Sequence, residues 1–555
     1  MSEQIRQLPR RPSRRLPLRF DPWSLGALLI AGLVLAPVLS VVWIAFHPVE
    51  NIWPHLAQSV LPRYLRTTFL LMAMVAALTA SVGTGAAWLV SMYDFPGRRW
   101  LDHALLFPLA IPAYVGAYAL VDVLDYGGPV QGALRAAMGW TSARDYWFPE
   151  TRSLWAAGLV LSAALYPYVY LLARAAFREQ SGCTYEVARA LGQGPWGLFR
   201  RVGLPMARPA IAAGVALAMM ETLADYGSIT YFGVQTLTAG IFSTWLDGGN
   251  AGGAAQIACV VLGLIVTLVA LERVSRRNAR FHRVGRSQRP IARTQLDGRQ
   301  GWIAFALCFL PFACGFLLPV GVMLFHASQA PAQWLAPGLL VALKNTLLVA
   351  GLASLATVAA ALLAVYGLRL SGSAAGRWLL PLTTLGYATP GAVLAVGLLI
   401  PLAALDHRLA DGIEALTGTD PGLMITGTAF ALGLAYLVRF FGVAQGAVES
   451  AFGRVSPSLP MAARSLGRGP GGALRAVYLP MMRGSVLTAL LVVFVDCVKE
   501  LPATLLLRPF NYNTLSTRVF ELASLERLSE AAPAALLVMG IGLAAVAVLA
   551  RTNRA

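Results

Sequence analysis

Residues 186–205 read EVARALGQGPWGLFRRVGLP, and residues 461–480 read MAARSLGRGPGGALRAVYLP. The two stretches share Ala-Arg, Leu-Gly, Gly-Pro and a closing Leu-Pro at one constant offset, 467 − 192 = 275. Each reads as a short amphipathic helix, a glycine turn, and a second basic helical piece ended by Leu-Pro where an apolar run begins. Other features return at nearly the same offset. Arg99-Trp100 matches Arg377-Trp378, Pro112 matches Pro390, and Thr236-Leu237 matches Thr514-Leu515, each 278 residues apart. The chain therefore reads as a duplication, and the repeated loop lies between the fourth and fifth apolar runs of each copy.

Those runs set the class. Of 555 residues, 57% are hydrophobic and 13% charged, and the mean hydropathy is +0.64, too apolar for a soluble chain of this length. Twelve runs approach the ~20 residues that cross a bilayer core. They are expected at 24–46, 67–91, 101–121, 154–173, 207–230, 253–271, 302–325, 345–367, 379–402, 423–443, 482–506 and 531–550. Lipid offers no partner to free backbone groups, and the runs are too long for barrel strands, so the fold class is an all-α polytopic membrane protein of two homologous six-helix halves. The expected organisation is a basic tail (1–23), a first transmembrane domain (24–272), an Arg-rich linker (273–300), a second transmembrane domain (301–550) and a short C-terminus (551–555).

The net charge of +18 does not point to nucleic acid, because the arginines fall in alternate loops. Arg6, Arg10, Arg11, Arg14, Arg15 and Arg19 precede the first run, and Arg174, Arg178, Arg189, Arg200, Arg201 and Arg208 surround the first repeated loop. Nine more arginines lie in 273–299, whereas 226–252 and 326–343 have neither Lys nor Arg. The positive-inside rule puts both termini and the linker in the cytoplasm. The first run is 23 residues long with no small-residue cleavage site after it, so it reads as an uncleaved anchor. Cys183, Cys259, Cys308, Cys314 and Cys497 show no disulfide or metal spacing and read as small core hydrophobes. The six dispersed histidines, His47, His55, His103, His282, His326 and His407, are assigned no metal.

The repeated loop, with Glu186, Ala188, Gly192, Leu204 and Pro205 in one copy and Met461, Ala463, Gly467, Leu479 and Pro480 in the other, resembles the EAA loop of ABC importer permeases. That resemblance implies a type I importer permease with both halves fused, in the plasma (inner) membrane. Its partners would be an ABC ATPase, in two copies, and a periplasmic or extracellular binding protein. The loop would be the coupling helix that seats on the ATPase, a knob in a groove. Met461 departs from the pattern, which has Glu there, so the two contacts are expected to be unequal. The chain's lysines, Lys344 and Lys499, follow Leu343 and Val498 rather than glycine, so no P-loop exists. ATP and Mg2+ belong to the partner, and no cofactor or catalytic residue is expected on this chain.

Residues 221–236 (ETLADYGSITYFGVQT) and 495–510 (VDCVKELPATLLLRPF) resemble the ferric-iron branch of these permeases. Thiamine and phosphonate-type permeases are close relatives, so a thiamine or other small-solute permease is the alternative; a twelve-span secondary transporter or a membrane enzyme is disfavoured by the duplicated loop. Glu221 and Asp225, and likewise Asp496 and Glu500, are four apart and are expected to share a helix face, roughly 21 and 27 Å from the cytoplasmic side. With Tyr226, Lys499 and Arg508 they are candidates for a substrate path or gate. The bland reading has these carboxylates pairing with Lys499, Arg508 and nearby backbone at helix ends. Tyr226, Tyr231, Phe232 and segment 508–513 are candidates for the external mouth, although packing is the commoner role of such aromatics. Pro112 and Pro390, with Gly116 and Gly391 nearby, are expected to kink the third span of each half.

Overall fold

The computed structural model describes residues 22–277, 292–371, 379, 382–384, 386, 389–456 and 458–552. The tail at 1–21, linker residues 278–291, His282, Arg377-Trp378 and the last three residues lie outside the described residues. Among the described residues, eleven helices are long and apolar enough to cross a membrane, and a bent pair makes up to twelve. Most expected spans coincide with helices, among them Pro22–Phe46, Leu61–Met92, Leu154–Arg178, Ala251–Arg277, Pro337–Ser371, Ala429–Arg454 and Leu528–Thr552.

The third span of each half departs from expectation. In the first half, 101–121 is not one helix: Arg98–Ala104 and a tight turn at Phe107–Ala110 end before Pro112, and Ala113–Leu124 starts after it, with a bend of 96° across the break. Pro112 is extended, at φ −61° and ψ 136°, and has no N–H to continue a helix, so a kink becomes a full stop. Pro390 is likewise extended, at φ −55° and ψ 145°, where a helix begins in the second half, and that helix runs Gly391–Thr417 rather than ending at 402. Its last turns carry Asp406, His407, Arg408, Asp411 and Glu414, so hydropathy falls away while the helix continues.

A second departure recurs three times. π-helical turns at Leu198–Gly203, Ala313–Leu317 and Leu474–Tyr478 each run into Leu-Pro, at Leu204-Pro205, Leu318-Pro319 and Leu479-Pro480. A proline ring collides with the carbonyl four residues back and cannot bond it, and a wider turn relieves both problems without ending the helix. Leu-Pro therefore does not mark where a span begins: Pro195–Ala224 and Pro470–Val498 are each continuous through it.

The halves exchange their first helices. Pro22–Phe46 packs on Pro337–Ser371 and Gly391–Thr417 of the other half as well as on Ala251–Arg277 of its own. Reciprocally, the helix that begins at Gly298 packs on Leu61–Met92 and Ala113–Leu124, and on Leu528–Thr552. Close approach needs small residues, as expected of helices packing in lipid. A Cβ at Gly367 would lie 2.2 Å from the Trp23 carbonyl oxygen, and one at Gly397 2.2 Å from that of Pro37.

Among the described residues one element is not helical. Tyr93–Asp94 and Thr294–Gln295 form a two-residue parallel bridge that ties the linker to the end of Leu61–Met92. Arg98 Nε donates to Asp94 Oδ1 at 2.8 Å, and the Arg98 hydrogen bond holds the Asp94 carboxyl below the usual carboxylate range. The cysteines are all free, but only Cys308 and Cys497 are buried; Cys183 and Cys314 are exposed, which corrects their reading as core residues.

Candidate functional site

Two places concentrate the residues singled out in the sequence. The first is the pair of repeated loops. The helices Gly182–Ala190 and Ser458–Ser465 both end in the same turn. Gln193 N donates to Ala188 O at 3.0 Å and Arg468 N to Ala463 O at 3.1 Å, while Gly192 N and Gly467 N reach Arg189 O and Arg464 O at 2.9 and 3.0 Å. This is a Schellman cap, which requires a left-handed residue after the helix. Gly192 and Gly467 supply it, each at φ +79°. The turn buries Ala188 and Ala463 and leaves Glu186, Val187, Leu191, Trp196, Met461 and Leu466 exposed. Leu204 and Leu479 are half-buried, with Pro205 and Pro480 exposed beside them. Each loop thus presents apolar side chains on a rigid turn outside the helix bundle.

The second place is a cavity of about 140 Å³ where the halves meet. Tyr168, Glu221, Asp225 and Tyr226 line it from the first half, and Arg439, Asp496, Lys499 and Glu500 from the second. Its acids do not share helix faces as expected. The helices stop at Ala224 and Val498, so Asp225 and Glu500 fall in the breaks and cap the short helices that follow, Gly227–Tyr231 and Pro502–Leu507. Asp225 accepts the N–H groups of Ser228 and Ile229 at 3.1 Å and the Ser228 hydroxyl at 2.9 Å. Glu500 accepts those of Ala503 and Thr504 at 3.0 Å and the Thr504 hydroxyl at 2.7 Å. The same cap thus recurs at an offset of 275 residues (500 − 225), and the residues of both breaks, 225–227 and 500–502, line the cavity.

Two ion pairs, both within the second half, lie in the cavity wall. Lys499 Nζ lies 2.8 Å from Asp496 Oδ1, and Arg439 Nη1 lies 3.3 Å from Glu500 Oε1 without an aligned N–H. Gly391 makes room for the latter pair, since a Cβ there would sit 2.3 Å from Arg439 Nη1 and 2.6 Å from Glu500 Oε1. Against four lining carboxylates stand two cationic side chains, a formal balance of −2. Sequence reading missed Arg439 and Tyr168. The signal for Arg439 was present, an arginine inside the expected span 423–443.

Arg508 is not part of this cluster. It pairs with Glu521 and bonds the Asn513 side chain, which corrects its place beside the carboxylates. Tyr226 lines the cavity but also stacks on Phe242 at 3.6 Å, Tyr231 meets Tyr118 edge-on at 4.5 Å, and Phe232 is buried. Tyr231 and Phe232 are therefore packing residues. In segment 508–513, Phe510 is fully exposed.

This architecture, a duplicated helical bundle with broken helices around a charged cavity and two apolar knobs outside it, is that of an importer permease. The chain belongs to the family described as "Binding-protein-dependent transport system inner membrane component", whose model matches residues 80–280. It is 26% identical over 488 residues to the Fe(3+)-transport system permease protein FbpB 2 of Haemophilus influenzae, covering 86% of this chain and 87% of that one. It is 30% identical over 206 residues to the molybdenum transport system permease protein ModB of Escherichia coli, covering 35% of this chain and 85% of that protein. The probable sulfate transport system permease protein cysT of Nephroselmis olivacea is 30% identical over 218 residues, 38% of this chain and 73% of its own. The chain is thus a multi-pass, non-catalytic ABC importer permease of the inner membrane, a class that works with an ATPase and a binding protein. Family membership removes the secondary transporter and the membrane enzyme as alternatives.

Proposed function

We propose that this permease imports ferric iron. The observation that carries the reading is the cavity between the halves, with four carboxylates against two cationic groups. Oxyanions such as molybdate or sulfate would meet a like-charged path there, whereas a cation meets an attractive one. The Fe(3+) permease is also similar along both halves, while the two oxyanion permeases are similar over a stretch about the length of one.

In the proposed cycle a loaded binding protein docks on the external face, where Phe510 stands fully exposed. Both termini and the linker lie in the cytoplasm with the arginine-rich loops. Two ATPase subunits hold ATP and Mg2+ and receive the knobs at 186–205 and 461–480. Because the second piece of each knob, after its glycine turn, is the start of Pro195–Ala224 or Pro470–Val498, a push on it reaches the cavity acids at the far ends of those helices. ATP-driven closure then rocks one half against the other and opens the cavity to alternate sides.

The test is uptake into vesicles holding the permease with its ATPase and binding protein. ATP-dependent entry of radiolabelled ferric iron, with none for molybdate or thiamine, is expected. ATP-dependent entry of thiamine or molybdate without iron would overturn the substrate and leave the permease class standing.

A further inference from the structure

Beside the linker bridge lies a second charged cavity, of about 390 Å³, lined by Arg98, Arg99, Asp102, His103, Arg178 and Arg293. Its carboxylate is already committed. Arg174 Nη1 and Arg178 Nη2 lie 2.7 Å from the two oxygens of Asp102, and Arg98 is held by Asp94 outside the lining. Among the described residues neither Arg99 nor Arg293 has a carboxylate within ion-pair distance, and both are exposed. The lining thus carries four guanidinium groups against one carboxylate, a formal +3 with His103 neutral. Concentrating like charge in a concavity is costly, and a bound anion relieves it. Burial, and then the Arg98 and Arg178 charges, push the Arg293 guanidinium below its ordinary value, in keeping with a site short of one anion.

We infer that this cavity binds a phosphoryl anion, supplied by the headgroup of an anionic phospholipid. Guanidinium groups match phosphate oxygens in paired, charge-assisted hydrogen bonds, which Arg99 and Arg293, both in the lining and without a carboxylate at ion-pair distance, can make. The depth fits a headgroup. Trp100 and Trp302 are 49% and 61% exposed, and such tryptophans sit at the membrane–water boundary. Basic pockets between membrane helices at that level take phospholipid headgroups.

The site also joins three segments. Arg293 precedes Thr294, which pairs with Tyr93 in the bridge, and Arg189 Nη2 of the first knob donates to Thr294 Oγ1 at 3.2 Å. An anion here would hold the linker, the Arg98–Ala104 helix and, through Thr294, the first coupling knob in one arrangement. The second knob has no such link among the described residues.

The test counts phosphatidylglycerol retained by the purified full-length chain, by native mass spectrometry, after transfer from bilayers of phosphatidylcholine with or without phosphatidylglycerol. Wild type is compared with R99Q/R293Q and with R144Q/R408Q, which removes the same charge at exposed sites elsewhere. Loss of two solvent-exposed ionic contacts predicts retention weakened about tenfold in R99Q/R293Q only. Millimolar inorganic phosphate should fail to displace the lipid. Displacement by phosphate, with the same dependence on Arg99 and Arg293, would support the anion site and overturn the lipid as its source. Equal retention in wild type and R99Q/R293Q, both monodisperse, would overturn the site itself.

Discussion

Thr346 Oγ1 accepts the backbone N–H of Leu515 at 2.8 Å, in a place where both residues are buried. The first half repeats the bond 278 residues earlier (346 − 68), Thr68 Oγ1 accepting from Leu237 N at 3.1 Å. A second pair follows: Thr238 Oγ1 donates to Leu223 O, and Ser516 Oγ to Val498 O. These bonds fasten the helices that begin at Leu237 and Leu515 to the second span of each half and to the broken helix beside the cavity. Thr346→Val keeps the shape and leaves a buried N–H without a partner, at a cost of about 1–3 kcal/mol. Thermal unfolding in detergent should show a lower midpoint for Thr346→Val and for Thr68→Val, with Thr346→Ser close to wild type. Equal midpoints for the valine and serine variants would show that the bond contributes nothing.

The turns at Gly192 and Gly467, proposed to dock on the ATPase, can be broken without disturbing the bundle. Nothing lies within 4 Å of a Cβ added at Gly192 or Gly467, so only the backbone resists a side chain there. A non-glycine residue at φ +79° costs about 1 kcal/mol, and more when β-branched. Gly192→Val and Gly467→Val should each lower co-purification of the ATPase and ATP-dependent uptake while membrane insertion and yield stay at wild-type levels. Full ATPase capture by both variants would refute the docking role of the loops.

The all-helical plan of eleven to twelve spans and the glycine turns at Gly192 and Gly467 could be read from the sequence because each rests on local signals: apolar runs of membrane length, and Ala-Arg-x-Leu-Gly with its left-handed glycine. The cavity was less legible. Asp225 and Glu500 sit four residues beyond Glu221 and Asp496, a spacing that implies one helix face, yet the chain leaves the helix just before each. The reason is a competing cap. A carboxylate that can accept two N–H groups of a following helix favours the break, and a spacing rule cannot weigh that contest. Exchange of the first helices was also hidden, since Gly367 and Gly397 reveal their purpose only once Trp23 and Pro37 lie against them.

Attachment of the linker should depend on pH. The Arg98 hydrogen bond lowers the Asp94 carboxyl in the folded protein, so its contribution is fully present above the ordinary carboxylate value and is lost as pH falls through the depressed one. Asp94→Asn removes that contribution at every pH. The difference in thermal midpoint between wild type and Asp94→Asn should therefore hold constant near neutrality and close below pH ~4. A gap that persists in acid would assign the difference to packing rather than charge.

Lys499 is the residue whose loss most directly tests the cavity as a cation path. Its ammonium pairs with Asp496, 2.8 Å away, on a cavity that Glu221 lines from the opposite half, so under the proposed function it neutralises part of a carboxylate cluster that would otherwise hold a trivalent ion too firmly to release it. Two unit charges ~4 Å apart interact by about 4 kcal/mol at an effective dielectric of ~20, enough to turn a passing contact into a trap. Lys499→Met takes the formal balance of the lining from −2 to −3. The variant should bind a luminescent lanthanide, standing in for ferric iron, more tightly than wild type and transport iron more slowly at saturating binding protein. Adding Asp496→Asn restores the balance to −2 and should recover both affinity and rate, a rescue that simple structural damage at Lys499 would not allow. Unchanged lanthanide affinity in Lys499→Met would remove the cavity from the cation route.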